Sequence, residues 1–163
     1  MKTNQSNPPA DEISIKMDNL RGPEIAALLE EHLEDMIAAS PPESRHVLDL
    51  EGLRRPDISF WCAWQGPTLL GCGALKELDA RHAEIKSMRT ARNQRGKGVG
   101  TRILERLIAE ARRRDYRRLS LETGSMEFFA PARRLYGKFG FALCAPFASY
   151  KNDPNSVFMT MEL

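Results

Sequence analysis

Apolar and polar positions recur along the chain with two different periods, and the changes of period mark its elements. Ile13, Ile15 and Met17 alternate with polar neighbours, which predicts a first strand over Ile13–Met17. Ile25, Leu28, Leu29, Leu33, Met36 and Ile37 then recur at helical spacing, predicting a helix from Pro23 to about Ala39. Pro23 suits a first helical turn, Glu24 complements the positive end of the dipole, and Pro41-Pro42 stops the run. Val47, Leu48 and Leu50 predict a shorter second helix over Glu43–Leu53.

The period then changes. Ile58–Trp64 (ISFWCAW) and Thr68–Leu75 (TLLGCGAL) flank a QGP turn, a hairpin signal, and Ala83–Thr90 (AEIKSMRT) predicts another strand. Val99, Ile103, Leu104, Leu107, Ile108 and Ala111 share one face of a helix. A strand over Arg118–Thr123, a helix over Phe128–Phe139 with Pro131 near its first turn, and strands in FALCAPF and SVFMTMEL complete the chain. The order β-α-α-β-β-β-α-β-α-β-β describes a mixed α/β (α+β) single domain, with no internal repeat and no linker long enough to divide it.

Composition agrees and narrows the classes. The 163 residues are 42% apolar and 28% charged, enough for one domain with one well-packed core. The first twelve residues are polar and proline-bearing, so they are expected to form a loose arm before a domain over residues 13–163. No apolar run approaches the roughly 20 residues of a membrane span. Cys62, Cys72 and Cys144 form no CxxC pair, and no leader segment is read at the start. They are expected to be reduced thiols of a cytoplasmic protein, with Cys62 and Cys72 as buried hydrophobes. His32, His46 and His82 lack metal-ligand spacing, so no metal is expected. A net charge of +2 does not imply nucleic acid. Arg112–Leu119 (RRRDYRRL) reads as the solvated end of a helix, with salt-dependent nucleic-acid binding as its alternative.

The stretch that demands chemistry is Arg92–Leu104, RNQRGKGVGTRIL. Glycines at 96, 98 and 100 carry an entropic cost of about 1 kcal/mol each inside an ordered element. A P-loop spacing is absent, and the third glycine is misplaced for a dinucleotide fingerprint. A pyrophosphate cradle of another design fits: backbone N–H groups at a helix N-terminus, bare main chain at Gly98 and Gly100, and charge from Arg95 and Lys97.

Arg95-Gly96-Lys97-Gly98-Val99-Gly100 resembles the R/Q-x-x-G-x-G/A signature of the GNAT superfamily of acetyl-CoA-dependent N-acetyltransferases. Leu135–Phe141 (LYGKFGF) resembles the family's LYxKxGF segment, and the element order agrees from Ile13 to Leu163. EIKSMRT, RGKGVG, LETGS and ARRLYGKFGF together look most like the YsnE-like branch of small bacterial acetyltransferases.

The resemblance implies a single-domain GNAT-like fold, with a mixed sheet of about seven strands flanked by about four helices. The strands before and after the signature helix would splay, and pantetheine would pair with main chain over Met88, Arg89 and Thr90. Arg95, Gly96, Lys97, Gly98, Val99, Gly100 and Thr101 would take the pyrophosphate of acetyl-CoA. Tyr136 falls on the tyrosine that protonates the departing thiolate, and a phenol of pKa near 10 suits that task. Many members carry an asparagine seven residues earlier, where this chain has Phe129.

Glu84 and Glu122 are rival general bases, and Ser125 is a candidate acceptor-site hydroxyl. Some arginines of Arg112–Arg118 are candidates for the adenosine 3′-phosphate. Trp61 and Trp64 should face opposite ways on their strand, one in the core and the other walling the acceptor pocket. The implied activity is direct acetyl transfer to a primary amine of a small molecule or peptide. The alternative is a non-catalytic acyl-CoA sensor. The implied partners are that amine acceptor, no nucleic acid and no membrane, with a homodimer among the assemblies the family allows.

Overall fold

In the computed structural model, which describes residues 12–163, the alternating stretches become seven strands. They are β1 (Ile13–Met17), β2 (Ile58–Gln65), β3 (Thr68–Asp79), β4 (His82–Thr90), β5 (Arg118–Gly124), β6 (Ala142–Leu143) and β7 (Ser156–Glu162). The helices are α1 (Pro23–Ala39), α2 (Leu50–Leu53), α3 (Val99–Arg113) and α4 (Ala130–Lys138). The arm expected over residues 1–12 lies, Glu12 apart, outside the described residues.

One mixed sheet runs in the order β1-β2-β3-β4-β5-β7-β6. All its pairs are antiparallel except β4 with β5, which are parallel and joined through α3, as a parallel crossover requires. Alternation along β2 divides the core. Trp61 and Ala63 pack on the side of α3 with Ile103, Leu104 and Leu107, while Phe60 and Cys62 join Ile25, Leu28 and Leu53 on the side of α1 and α2. Trp64 packs against that second cluster, opposite Trp61, and does not line the cleft described below. Cys62 and Cys72 are buried partners across β2 and β3, and burial pushes the Cys72 thiol up to about 12.

Two elements depart from the sequence pattern. The helix expected over Glu43–Leu53 is a single 3₁₀ turn (Pro42–Ser44), an extended stretch, and the four-residue α2. Long-range ties override the local period there. Ser44 donates to Asp153 at 2.6 Å, Arg45 donates to carbonyls of Ile37 and Ser40, and the Asp49 side chain caps α2 through Gly52 N–H at 2.8 Å. The expected strand Phe141–Phe147 keeps ladder pairing only at Ala142 and Leu143, after which the chain leaves as a loop to Ser156.

The sheet is interrupted at its centre. The β4–β5 ladder ends at Ile85 opposite Leu121. Beyond it β4 stays with β3 as far as Thr90, and β5 stays with β7 as far as Gly124. Just beyond that point in β4, Ser87 adopts a left-handed φ of 54° at a shift in the β3–β4 register. The two strands thus separate, as expected of a splayed sheet.

A charged network holds α1 over this opening. Arg89 is buried and pairs with Glu31 at 2.9 Å and Asp35 at 2.6 Å, and Arg92 joins Asp35 at 2.7 Å. Burial alone would raise the Asp35 pKa, but the guanidinium groups of Arg92 and Arg89 prevail and hold it down at about 2. Removing one partner of a buried pair strands the other charge. Arg89→Met is therefore expected to destabilise the protein by about 3–5 kcal/mol in urea unfolding. Arg118→Ala, which breaks an exposed pair with Glu162, should cost under about 1 kcal/mol. Equal losses in the two variants would remove the network from this role.

Candidate active site

The sequence around Gly96 and Gly98 makes an anion cradle by leaving backbone unsatisfied. Both residues sit in the left-handed region, at φ of 78° and 77°, where a side chain would strain the backbone. Open space lies where their Cβ atoms would be. Gly98 is the N-cap of α3, and no side chain caps that end. The first intrahelical bond is made by Arg102 N–H to the Gly98 carbonyl. The N–H groups of Val99, Gly100 and Thr101 are therefore left for a ligand, aligned with the positive end of the helix.

This cradle opens into a cleft of about 540 Å³, within the range of small-molecule sites. The cleft passes from the signature loop and α4 into the gap between β4 and β5. It ends against the second half of α1, the Ser44–Val47 segment and Tyr150. On its floor, main chain of β4 beyond Ile85 has lost its β5 partner, so its polar groups are available to an extended amide-bearing ligand.

Two titratable groups flank the gap. Glu122 lies on β5 one residue beyond the last ladder pair, and burial pushes its carboxyl up to about 7. The neighbouring Ser156 hydroxyl and Lys86 ammonium oppose that shift. Tyr136, buried on α4, has its phenol raised above its ordinary value first by burial and then by the charge of Glu122. An aromatic edge from Phe141 holds the ring, with centroids 5.9 Å apart.

Glu84 has a different environment. It is buried, and its Oε2 accepts hydrogen bonds from the Tyr150 hydroxyl at 2.5 Å and from Lys86 Nζ at 3.4 Å. Lys86 also donates to the Tyr150 hydroxyl at 2.9 Å. Those contacts occupy Glu84, whereas Glu122 meets the cleft with no cation in salt-bridge range among the described residues.

Most of the residues singled out from the sequence converge on this cleft. Glu84, Met88, Arg89, Thr90, Arg95, Gly96, Gly98, Val99, Gly100, Thr101, Glu122 and Tyr136 all line it. Other singled-out residues have side chains engaged elsewhere or lie outside the cleft. The Arg89 side chain is bound to α1, so only its backbone remains for a ligand. Lys97 turns to Gln94 at 3.0 Å, outside the lining. Ser125 is exposed, outside the cleft, and donates to the Pro154 carbonyl at 2.7 Å. Arg112 and Arg113 end α3, roughly 20 Å of helix from the cradle, and the chain runs on from there to Arg118 at the start of β5, so none of these arginines lines the cleft.

Phe129, singled out from the sequence, places its ring in the space that a Cβ at Gly124 would need. Several lining residues escaped the sequence reading: His32, Arg45, His46, Lys86 and Tyr150. Tyr150 lies in an aperiodic loop and Arg45 in a stretch that looked helical, so neither offers a local signal. His32 Nδ1 is buried with no hydrogen-bond partner among the described residues, and burial lowers the imidazole pKa to about 4.

Comparison with known proteins agrees with this geometry. Residues 25–141 match the model of the Acetyltransferase (GNAT) family. The uncharacterized N-acetyltransferase YsnE of Bacillus subtilis (strain 168) is 59% identical over 149 residues, covering 91% of this chain and 99% of that protein. The uncharacterized N-acetyltransferase YedL of Escherichia coli (strain K12) is 47% identical over 150 residues, covering 92% and 94%. A GNAT family acetyltransferase from Elizabethkingia anophelis, solved with acetyl-CoA bound, superposes with a TM-score of 0.66 at 21% identity, covering 94% of this chain and 99% of that one.

The raised Glu122 carboxyl carries a stability cost of its own. Its affinity for a proton is higher in the fold than in the unfolded chain. Its contribution to stability is thus complete below the ordinary value of 4.5 and is lost as pH rises through about 7. Glu122→Gln is expected to stabilise the protein by about 1–3 kcal/mol at pH 8 and to leave it unchanged at pH 4. Urea unfolding of both proteins at the two pH values measures this, and an equal difference at both would refute the buried-acid assignment.

Proposed function

The chain belongs to the Acetyltransferase (GNAT) family, and on that premise we propose that it moves an acetyl group from acetyl-CoA directly to a primary amine of a small molecule or peptide. The observation that carries this is the pairing of an uncapped glycine cradle with a gap flanked by Glu122 and Tyr136. Acetyl-CoA would supply a thioester already activated towards an amine, so no covalent enzyme intermediate is needed.

The residues present fit that co-substrate. Val99, Gly100 and Thr101 N–H groups would hold its pyrophosphate, with Arg95 beside them, and backbone at Met88 and Thr90 would pair with its amides. Arg95 is already partly oriented by Asp35 at 3.3 Å and lies over the Phe128 ring at 5.8 Å. Glu122 acts as the general base. Near pH 7 about half of it is ionised, which suits both removal of the amine proton and its later release. Tyr136 remains protonated at neutral pH and donates to the departing sulfur. Glu84 is a positioning residue, which fixes Tyr150 and Lys86 at the acceptor side. Bringing both reactants together in one oriented site would supply much of the rate, at best roughly 7–11 kcal/mol of barrier. The three unpaired cysteines support a reducing, cytoplasmic setting.

The test is CoA release from acetyl-CoA across an amine panel as pH is varied. For the wild type, kcat/KM for the amine should rise through about pH 7. Glu122→Gln should lose that limb and about 10²–10⁴-fold in kcat. Tyr136→Phe should lower kcat while leaving the affinity for acetyl-CoA unchanged. Unaltered turnover in both variants would overturn the mechanism, and tight acetyl-CoA binding without turnover of any amine would favour an acyl-CoA sensor.

A further inference from the structure

Among the described residues, four cationic side chains line the cleft: Arg45, Lys86, Arg89 and Arg95. Three of them face carboxylates, Lys86 meeting Glu84 at 3.4 Å, Arg89 meeting Asp35 at 2.6 Å, and Arg95 meeting Asp35 at 3.3 Å. Arg45 does not. Its Nε donates to the Ser40 carbonyl at 2.9 Å and its Nη2 to the Ile37 carbonyl at 3.1 Å. No carboxylate of the described residues pairs with it.

Those two bonds fix the plane of the guanidinium at the C-terminal end of α1. They use two of its five N–H donors. The helix end offers at most about half a negative charge, so a net positive charge remains. The segment is also immobilised on both sides of Arg45. Ser44 is tied to Asp153, and the His46 ring meets the edge of Tyr150 at 4.9 Å. Tyr150 in turn reaches Glu84 beside the gap, which puts Arg45 with the acceptor-side groups rather than with the signature glycines.

The charge pattern of the cleft is therefore asymmetric. Glu122 on the sheet offers a carboxyl with no cation in salt-bridge range, and Arg45 on the α1–α2 segment offers a guanidinium with no carboxylate in range, among the described residues. A guanidinium held in this way recognises a carboxylate with directed, charge-assisted hydrogen bonds. We propose that the acceptor is an amino acid, bound with its amine towards Glu122 and its carboxylate on Arg45. The proposal rests on the acetyltransferase reading and gives its substrate class. Arg45 is then a specificity-determining residue.

The experiment compares L-α-amino acids and short ω-amino acids with their carboxamides as acceptors, by CoA release from acetyl-CoA. The best acid should exceed its carboxamide in kcat/KM by about ten- to a hundredfold. Arg45→Gln should shrink that ratio towards one by raising KM for the acid, with acetyl-CoA affinity unchanged by calorimetry. A folding defect would instead lower both acceptors together. Carboxamides that match their acids in the wild type overturn the proposal and leave the acetyltransferase reading in place. Loss of acetyl-CoA affinity in Arg45→Gln also overturns it, because Arg45 would then serve the co-substrate. If no amine is turned over, the acetyltransferase reading fails. Calorimetry of the same acids on CoA-loaded protein still reads the anion site, and absence of binding there overturns the proposal as well.

Discussion

Everything at the site depends on two adjacent parallel strands that cease to pair. The ladder between β4 and β5 ends at Ile85 and Leu121, just before Ser87 takes up a left-handed conformation. Unpaired backbone within a sheet needs another partner, because buried N–H and C=O groups left alone are costly. A ligand with amides of its own can fill that role as an added strand. The same separation opens the space in which Glu122 and Tyr136 flank one cleft, and it leads directly into the uncapped end of α3.

Charge is distributed so that each group near the gap has a distinct task. The Arg89 guanidinium is held by Glu31 and Asp35, and this network anchors α1 as one wall of the cleft. Glu84 is occupied by Lys86 and Tyr150, while burial without a cationic partner leaves Glu122 titrating near neutrality. Two carboxylates on neighbouring strands thus have different surroundings, and the proposed tasks follow from that difference. His32, neutral at physiological pH, adds a lone buried nitrogen to the same wall.

Much of this was legible in the sequence wherever a local rule applied. Alternation fixed the strands and the division of Trp61 from Trp64, and the spaced glycines located the cradle. The resemblance of RGKGVG and LYGKFGF brought the splay with it, and the end of the β4–β5 ladder and the family assignment agree. What failed depended on distant partners. Periodicity called a helix through Arg45, but Ser44 is tied to Asp153, 109 residues away, and Arg45 to the end of α1. Spacing could not separate Glu84 from Glu122, since the distinction comes from Tyr150 on a loop without any period. Ser125 illustrates the reverse error, because adjacency to a site strand does not fix the direction of a side chain.

The central claim is that the interrupted sheet and the glycine cradle together form a binding site for CoA. Amide-resolved NMR during titration with CoA tests it most directly. The account predicts that the largest shifts fall on Met88, Thr90 and Val99–Thr101, with β1 and β2 nearly unmoved. Saturable binding that leaves those amides in place and shifts another surface would contradict it.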